Sequence, residues 1–457
     1  MFKTFPVLVF TKLINFLLNR FQISGGTALP GLIALQLDPN FIRNLAVKIP
    51  QGNIIISGTN GKTTTTRMLA TILKSADFNL IHNRAGSNLL RGIASTLAET
   101  WSVFNRKRFD LGVWEVDEAT VLPAVKALEP KIVVILNLFR DQLDRYGEID
   151  KIKRIWVKAI KMLPKKSTLI LNADDPAVAH LGHRFSGKVL YFGIEDKKNS
   201  EKVLPRFADT KYCPNCATAL IYEAVYTSHL GEYWCPVCGH KRPVLNFEAN
   251  EVSCLSPVKA EFELKIGNKK DKLKINLGGL YNIYNSLAAI AVAFTLGIGP
   301  NLSIAALSKF KSAFGRVEEI KTSKAVLRIF LIKNPTGANE VLKTVFSNSK
   351  KINILLALND KIADGTDVSW IWDVDFEKMA GKILGLIITG TRAKDLALRL
   401  KYSGVGNHAL VTENFEKAVK TVISSKENYY ILPTYTAMLE IRKQLNKLGL
   451  GVKFWED

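Results

Sequence analysis

No stretch of this sequence approaches the roughly 20 uninterrupted apolar residues a membrane span requires. Its most apolar end, Met1 to Phe21, is broken by Lys3, Pro6, Lys12, Asn15 and Asn19. No small-residue cleavage site follows it, so it does not read as a secretory signal. These absences predict a cytoplasmic protein whose first segment packs on its own domain or lies on a membrane or partner surface. Internal repeats and low-complexity tracts are also missing. Cysteine is scarce, five in 457 residues, which excludes a small disulfide scaffold. Acidic residues are outnumbered, 41 against 63 Lys and Arg for a net charge of +22, which favours anionic partners: nucleotides, nucleic acid or an anionic membrane surface. What is present, 47% hydrophobic and 23% charged residues, belongs to a globular chain with several cores and about three domains.

From about residue 45 short apolar runs alternate with helical stretches, the pattern of an α/β fold with a doubly wound parallel sheet. The expected strands are Asn53 to Ile56, Leu111 to Glu115, Ile132 to Asn137, Thr168 to Asn172 and Val189 to Phe192. Residues 197–257 break the rhythm with charge, aromatics and all five cysteines, as an insertion would. Strands are expected in 259–277, a long apolar helix from Ile283 to Leu296, and a polar connection from Ser312 to Ile320. A second alternating region follows, with strands at Val326 to Ile332, Ile352 to Leu358, Ile383 to Thr389 and Tyr430 to Pro433.

Ile54-Ile55-Ile56 runs into Ser57-Gly58-Thr59-Asn60-Gly61-Lys62-Thr63-Thr64 and then a helical pattern, the order a phosphate cradle needs. Gly58 and Gly61 permit a tight backbone, the helix N-terminus offers N–H groups to an anion, Lys62 reaches phosphate oxygens and the Thr63 hydroxyl suits magnesium. Ile56 stands where the general phosphate-loop pattern has its first glycine. Glu115 closes an apolar strand, at the carboxyl edge where ligands bind in open α/β sheets, and is the expected magnesium carboxylate, with Asp117 and Glu118 as rivals. Two C-x-x-C knuckles, Cys213/Cys216 and Cys235/Cys238, stand 18 residues apart. Four thiolates at this spacing converge on a structural zinc and leave no open position for catalysis. Cys254 is left over and reads as a small buried residue.

The variant Gly58-Thr59-Asn60-Gly61-Lys62-Thr63 resembles the loop of the Mur ligase and folylpolyglutamate synthetase superfamily. Asn172-Ala173-Asp174-Asp175-Pro176, Asn282-Ile283-Tyr284-Asn285 and Gly315-Arg316-Val317-Glu318 are similar to further motifs of that superfamily, in its order. The resemblance implies an N-terminal segment at 1–44, a central ATPase domain at 45–317 and a Rossmann-like C-terminal domain at 318–457. It also implies an ATP- and magnesium-dependent enzyme that activates a carboxylate as an acyl phosphate. Asn282 and Asn285 would face the base or ribose, although a helix cap alone explains Asn282. Arg316 would be the hinge arginine. Gln142, a poorer magnesium ligand but still an oxygen donor, replaces the histidine most Mur ligases carry, and Lys158 is out of register for their modified lysine, which leaves a second magnesium open.

An ATPase domain interrupted by a four-cysteine ribbon at about 206–245 resembles one branch, the MurT-type ligase subunits of lipid II isoglutaminyl synthase. Gly25 to Gly31, Asn83 to Asn88, Asn137 to Glu148, Leu331 to Gly337, Ala363 to Asp373 and Pro433 to Ala437 carry that resemblance over nearly the whole chain. It implies a GatD-type glutaminase partner that supplies ammonia, lipid II as substrate at the inner face of the membrane, and Asp364 completing the glutaminase triad across the interface. Trp370 and Trp372 would suit an interface anchor or equally a core. A stand-alone ligase adding an amino acid is the rival within the superfamily. A zinc-ribbon nucleic-acid-binding module is the rival outside it, and it leaves the nucleotide motifs unexplained, so no nucleic-acid partner is expected.

Overall fold

The structure, a computed structural model, describes residues 4–20, 28–83, 87–101, 109–140, 149–205, 208–310, 317–322, 324–346, 351–406 and 408–450. Its strands in chain order are β1 (Asn53–Ser57), β2 (Leu80–His82), β3 (Leu111–Glu115), β4 (Ile132–Ile135), β5 (Thr168–Asn172), β6 (Lys188–Ile194), β7 (Ile221–Thr227), β8 (Leu230–Trp234) and β9 (Phe247–Ser256). They continue with β10 (Lys259–Ile266), β11 (Lys269–Ile275), β12 (Val317–Lys321), β13 (Val326–Phe330), β14 (Ile352–Ala357), β15 (Ile383–Thr389), β16 (Leu410–Val411) and β17 (Tyr429–Pro433).

Nine strands form the first sheet in the order β11-β10-β9-β6-β5-β4-β1-β3-β2. The stretch from β2 to β9 is parallel, and β9, β10 and β11 meander antiparallel at its edge. The unbroken apolar runs follow from burial on both faces. In β1, Ile54 and Ile56 enter one core while Ile55 enters the core on the opposite face. In β4, Val134 faces the first core, and Val133 and Ile135 face the second. The helix Leu280–Thr295, almost wholly buried, fills the first core. Six strands form the second sheet, β12-β13-β17-β14-β15-β16, parallel except for the antiparallel edge strand β12. β7 and β8 make a separate hairpin.

The α/β class and the inserted cysteine unit are as expected, with three differences. Residues 247–256 belong to the main sheet rather than to the insertion, because Phe247 and Ala249 point into the core while Glu248 and Asn250 do not. An edge strand with one polar face carries too weak an apolar signal to be read alone. The connection expected at Ser312 to Ile320 contains β12, whose Glu318 and Glu319 suit an edge strand. Cys254 is exposed on β9, not buried.

The helix Thr4–Arg20 packs on helices Leu29–Leu37 and Leu90–Thr100. It turns Val7, Leu8 and Thr11 inward and leaves Phe5, Phe10, Leu13, Phe16 and Leu17 exposed. Among the described residues no helix is long and apolar enough to cross a membrane.

Candidate functional site

The phosphate loop springs from the carboxyl end of β1, beside the ends of β3 and β4. Gly58 and Gly61 have φ of +136° and +89°, which other residues adopt only with strain. A Cβ on Gly61 would also lie 2.1 Å from Asn285 Oδ1, so the loop can approach the helix Leu280–Thr295 only without a side chain there. The helix Lys62–Ser75 then starts with its first N–H groups turned toward the loop. Lys62 is buried, and its Nζ donates to Gly58 O at 2.5 Å, to Thr59 O at 3.2 Å and to Glu118 Oε2 at 3.1 Å. Thr63 Oγ1 donates to Glu115 Oε2 at 2.8 Å. The hydroxyl and carboxylate singled out for magnesium thus meet. Of the two rivals, Glu118 pairs with Lys62, and Asp117 accepts from Ala119 N at the head of a short turn. Glu115 itself is clamped by Asn83, which donates from Nδ2 to the Glu115 carbonyl at 2.8 Å and accepts from its N–H at 2.9 Å.

A cleft opens beside this loop between the two sheets. Asn60, Gly61, Thr64, Asn282 and Asn285 line it from the first unit, and Leu331, Lys333, Thr336 and Glu340 from the second. Asn285 Oδ1 accepts from Thr65 Oγ1 at 3.1 Å, and its Nδ2 donates to Asn282 Oδ1 at 3.3 Å. Asn282 Nδ2 in turn donates to Gly278 O at 2.7 Å. The two asparagines therefore fasten the phosphate-loop helix to the second helix and line the cleft, which a cap role for Asn282 alone does not explain.

Four contributors were not singled out from the sequence. Asn137, just past β4, accepts from Asn60 N at 2.8 Å and donates to Asn60 O at 3.0 Å. Asn334 Nδ2 reaches Asn60 Oδ1 at 3.1 Å across the cleft. Asn334 also caps the helix Pro335–Val345 by accepting from Gly337 N, and Asn-Pro at a helix start is the signal that marks it. Thr227 and Leu230, at the turn of the β7–β8 hairpin, form another part of the wall, a placement that no local sequence pattern encodes.

The four cysteines of the two knuckles are brought together, with all their sulfurs within 4.8 Å of one another. Cys213 and Cys238 Sγ lie 3.5 Å apart, Cys216 and Cys235 Sγ 3.4 Å. Tetrahedral zinc thiolates at ~2.3 Å imply sulfur separations of about 3.8 Å, so the donor set fits such an ion. Each knuckle closes through a left-handed residue, Ala217 or Gly239. Hydrogen bonding with Thr218 pulls the Cys216 thiol down to about 6, toward the thiolate that ligation needs, while burial pushes the Cys213 thiol up to about 12. The ribbon is moored to the first sheet by Arg242, whose Nε donates to Asp174 Oδ1 at 2.6 Å and NH1 to Glu195 Oε2 at 2.8 Å. Asp174 also accepts from Tyr284 OH at 2.7 Å. The Asn172 to Pro176 motif therefore joins ribbon, sheet and cleft helix, while Asp175 caps the helix Pro176–His180.

Compared with known proteins, residues 56–233 match the Mur ligase middle domain and residues 331–438 the MurT ligase C-terminal domain. The chain is 34% identical over 94% of its length to the lipid II isoglutaminyl synthase (glutamine-hydrolyzing) subunit MurT of Streptococcus pneumoniae, covering 94% of that protein. The chain belongs to the MurT family of Mur ligases. The Staphylococcus aureus subunit of the same name is also 34% identical, over 92% of this chain and 93% of its own. Among solved structures, a pseudomurein peptide ligase type C from Methanothermus fervidus is similar at a TM-score of 0.68 and 25% identity, over 89% of this chain and 80% of that one. MurF ligase from Thermotoga maritima in complex with ADP shares the fold at a TM-score of 0.65 and 13% identity, over 91% and 84%.

In the MurT-type C-terminal region, Asp364 lies beyond the carboxyl end of β14, next to the residues that follow β17. It is only 4% exposed. Its Oδ1 accepts from Thr436 N at 2.7 Å and its Oδ2 from Thr436 Oγ1. Burial pushes this carboxyl above its ordinary range, and the Thr436 hydrogen bonds oppose the shift. Nearby Ile362 is 88% exposed. Trp372 is half exposed and packs on Tyr402 and Arg399, while Trp370 is partly buried against the core. Arg316 and Gln142 lie outside the described residues.

Proposed function

We propose that this chain is the ligase subunit that amidates the α-carboxylate of D-glutamate in the lipid II stem peptide, using ATP and ammonia. The observation that carries this reading is the pairing of Thr63 with Glu115 and of Lys62 with Glu118 on a loop whose Asn60, Gly61 and Thr64 line the cleft, in a chain so similar to the named MurT subunits. A carboxylate is a poor electrophile. Transfer of the γ-phosphoryl of ATP to its oxygen gives an acyl phosphate and ADP. Ammonia then attacks the carbonyl carbon, phosphate leaves with the bonding pair, and the nitrogen loses a proton to give D-isoglutamine. Such transfer needs alignment and charge neutralisation rather than a protein nucleophile. Gly58, Thr59, Asn60, Gly61 and Thr64 would cradle the phosphates, Lys62 would neutralise them, Asn282 and Asn285 would flank the nucleoside, and Arg316 would act at the hinge. Thr63 and Glu115 would hold magnesium, which screens phosphate charge when bound.

Ammonia would come from a GatD-type glutaminase bound to the 318–457 unit, with Asp364 completing the partner's catalytic group and 45–317 handling the nucleotide. The exposed apolar side of the helix Thr4–Arg20 and the net charge of +22 support a cytoplasmic protein working at the inner, anionic face of the membrane. With lipid II, ATP, magnesium and concentrated ammonium, the chain alone should form amidated lipid II, and glutamine should replace ammonium only once the glutaminase is added. Turnover with a free amino acid in place of ammonia would instead establish the stand-alone ligase.

The four-cysteine cluster would hold zinc in a structural role. Cys235→Ser should remove about one zinc per chain and lower the melting temperature. Because Thr227 and Leu230 of the ribbon hairpin line the cleft, KM for ATP should rise as well. Metal analysis with ATP titration checks both, and unchanged zinc content would refute the site.

A further inference from the structure

We propose that His180, His183 and His240 form a second metal site, for a divalent ion of the zinc class, that fastens the ribbon to the first sheet. The ring nitrogens available for ligation all lie within 4.8 Å of one another, and the three rings lie 5.4–5.9 Å apart between centroids. Imidazole nitrogens on tetrahedral zinc at ~2.0–2.1 Å stand about 3.4 Å apart. Small side-chain rotations close the difference. On these rings, His180 Nδ1 and His240 Nε2 are buried without a hydrogen-bond partner. A buried polar atom in that condition calls for a bound ion or water.

The backbone prepares the arrangement from both sides. His180 ends the helix Pro176–His180, and His183 follows in the turn Leu181–Arg184, so a spacing of three sets both rings on one side. His240 follows the second knuckle, and its carbonyl accepts from Cys235 N at 2.7 Å, which ties its position to the four-cysteine unit. One metal would thus bridge ribbon and sheet where the thiolate site closes only the ribbon. The segment it would grip carries Asp174, already bonded to Arg242 of the ribbon and Tyr284 of the cleft helix.

Burial first, then the charges of His240, Arg184 and His183, push His180 down to about 4, so its ring is neutral at pH 7, the ligating form. Ligation at Nδ1 places the proton on Nε2, and Arg184, exposed and reaching Nε2 only at 3.4 Å, releases that long contact to water. Arg184 and Lys153 oppose a cation here, so this site should be weaker than the four-thiolate site. Three imidazoles leave a fourth position for water, and His183 is exposed, so the ion can exchange.

The full-length chain, loaded with zinc or cobalt and freed of loose metal, tests this. Wild type should hold about two ions per chain and His183→Ala about one, with the cobalt–thiolate charge-transfer band unchanged in the variant. A mild chelator should strip the weaker ion first, leaving that band intact. His240→Ala should likewise lose one ion, although its place beside the knuckle means that His183→Ala is the decisive variant. Equal metal content in wild type and His183→Ala, or saturation of wild type at about one ion, overturns the site.

Discussion

Lys62→Ala should cut ATP-dependent amidation at least a hundredfold, the scale of losing one preorganised group that meets developing charge. The lysine also has a structural role. It is buried against an equally buried Glu118, with side-chain exposures of 7% each, at 3.1 Å. Its loss therefore affects the fold as well as the site. Breaking a buried pair by removing one member costs about 3–5 kcal/mol. The double variant Lys62→Ala/Glu118→Gln removes the buried carboxylate charge as well, so it should recover part of the lost stability and none of the lost turnover. Calorimetry and single-turnover assays on the wild type and the two variants separate the contributions. Activity at the wild-type level in the double variant would remove Lys62 from the phosphate site.

How far the sequence carried depends on whether the signal was local. The phosphate loop was legible because glycine, lysine and threonine at fixed offsets, between an apolar strand and a helix, leave few other uses. The pairing of Thr63 with Glu115 was within reach because the helix that follows the β1 loop starts at the same sheet edge at which β3 ends. The cysteine cluster was legible from two equal gaps. Less accessible were Asn137, whose bonds to Asn60 need β1 and β4 side by side, and Asn334, whose bond to Asn60 depends on how the second sheet docks, with 274 residues separating the two. β9 escaped because a strand with one polar side shows half the expected apolar pattern, and β12 because an edge strand needs no apolar run. The placement of Thr227 and Leu230 in the cleft wall follows from the Arg242 mooring, a tertiary contact with no trace in spacing.

Asp364→Asn, measured in the complex with the glutaminase, should lower glutamine hydrolysis by roughly 10²–10⁴-fold. In a triad the carboxylate fixes the imidazole tautomer and stabilises its cationic form, and the neutral amide does neither. The structure sharpens the experiment by showing what else Asp364 does. Both its oxygens accept from Thr436, holding the loop after β14 to the start of the helix Tyr435–Lys447. An asparagine keeps an acceptor for Thr436 N and can donate to the Thr436 hydroxyl, so the loop survives while the charge is lost. Alanine removes the staple as well. If Asp364 serves the partner's histidine, through lone pairs left over from the Thr436 contacts, Asp364→Asn should behave almost as badly as Asp364→Ala in glutamine hydrolysis. Both variants should amidate lipid II normally with free ammonium, because the cleft beside Asn60, Gly61 and Thr64 is untouched. If Asp364 is only the staple, Asp364→Asn should hydrolyse glutamine at the wild-type rate and Asp364→Ala alone should fail, through weakened subunit association. Asp367, exposed and accepting from Ser369 N at 2.8 Å, is then the carboxylate to test next. Loss of ammonium-driven amidation in Asp364→Asn would move the residue into the ligase site, against its position beyond the far sheet's carboxyl edge.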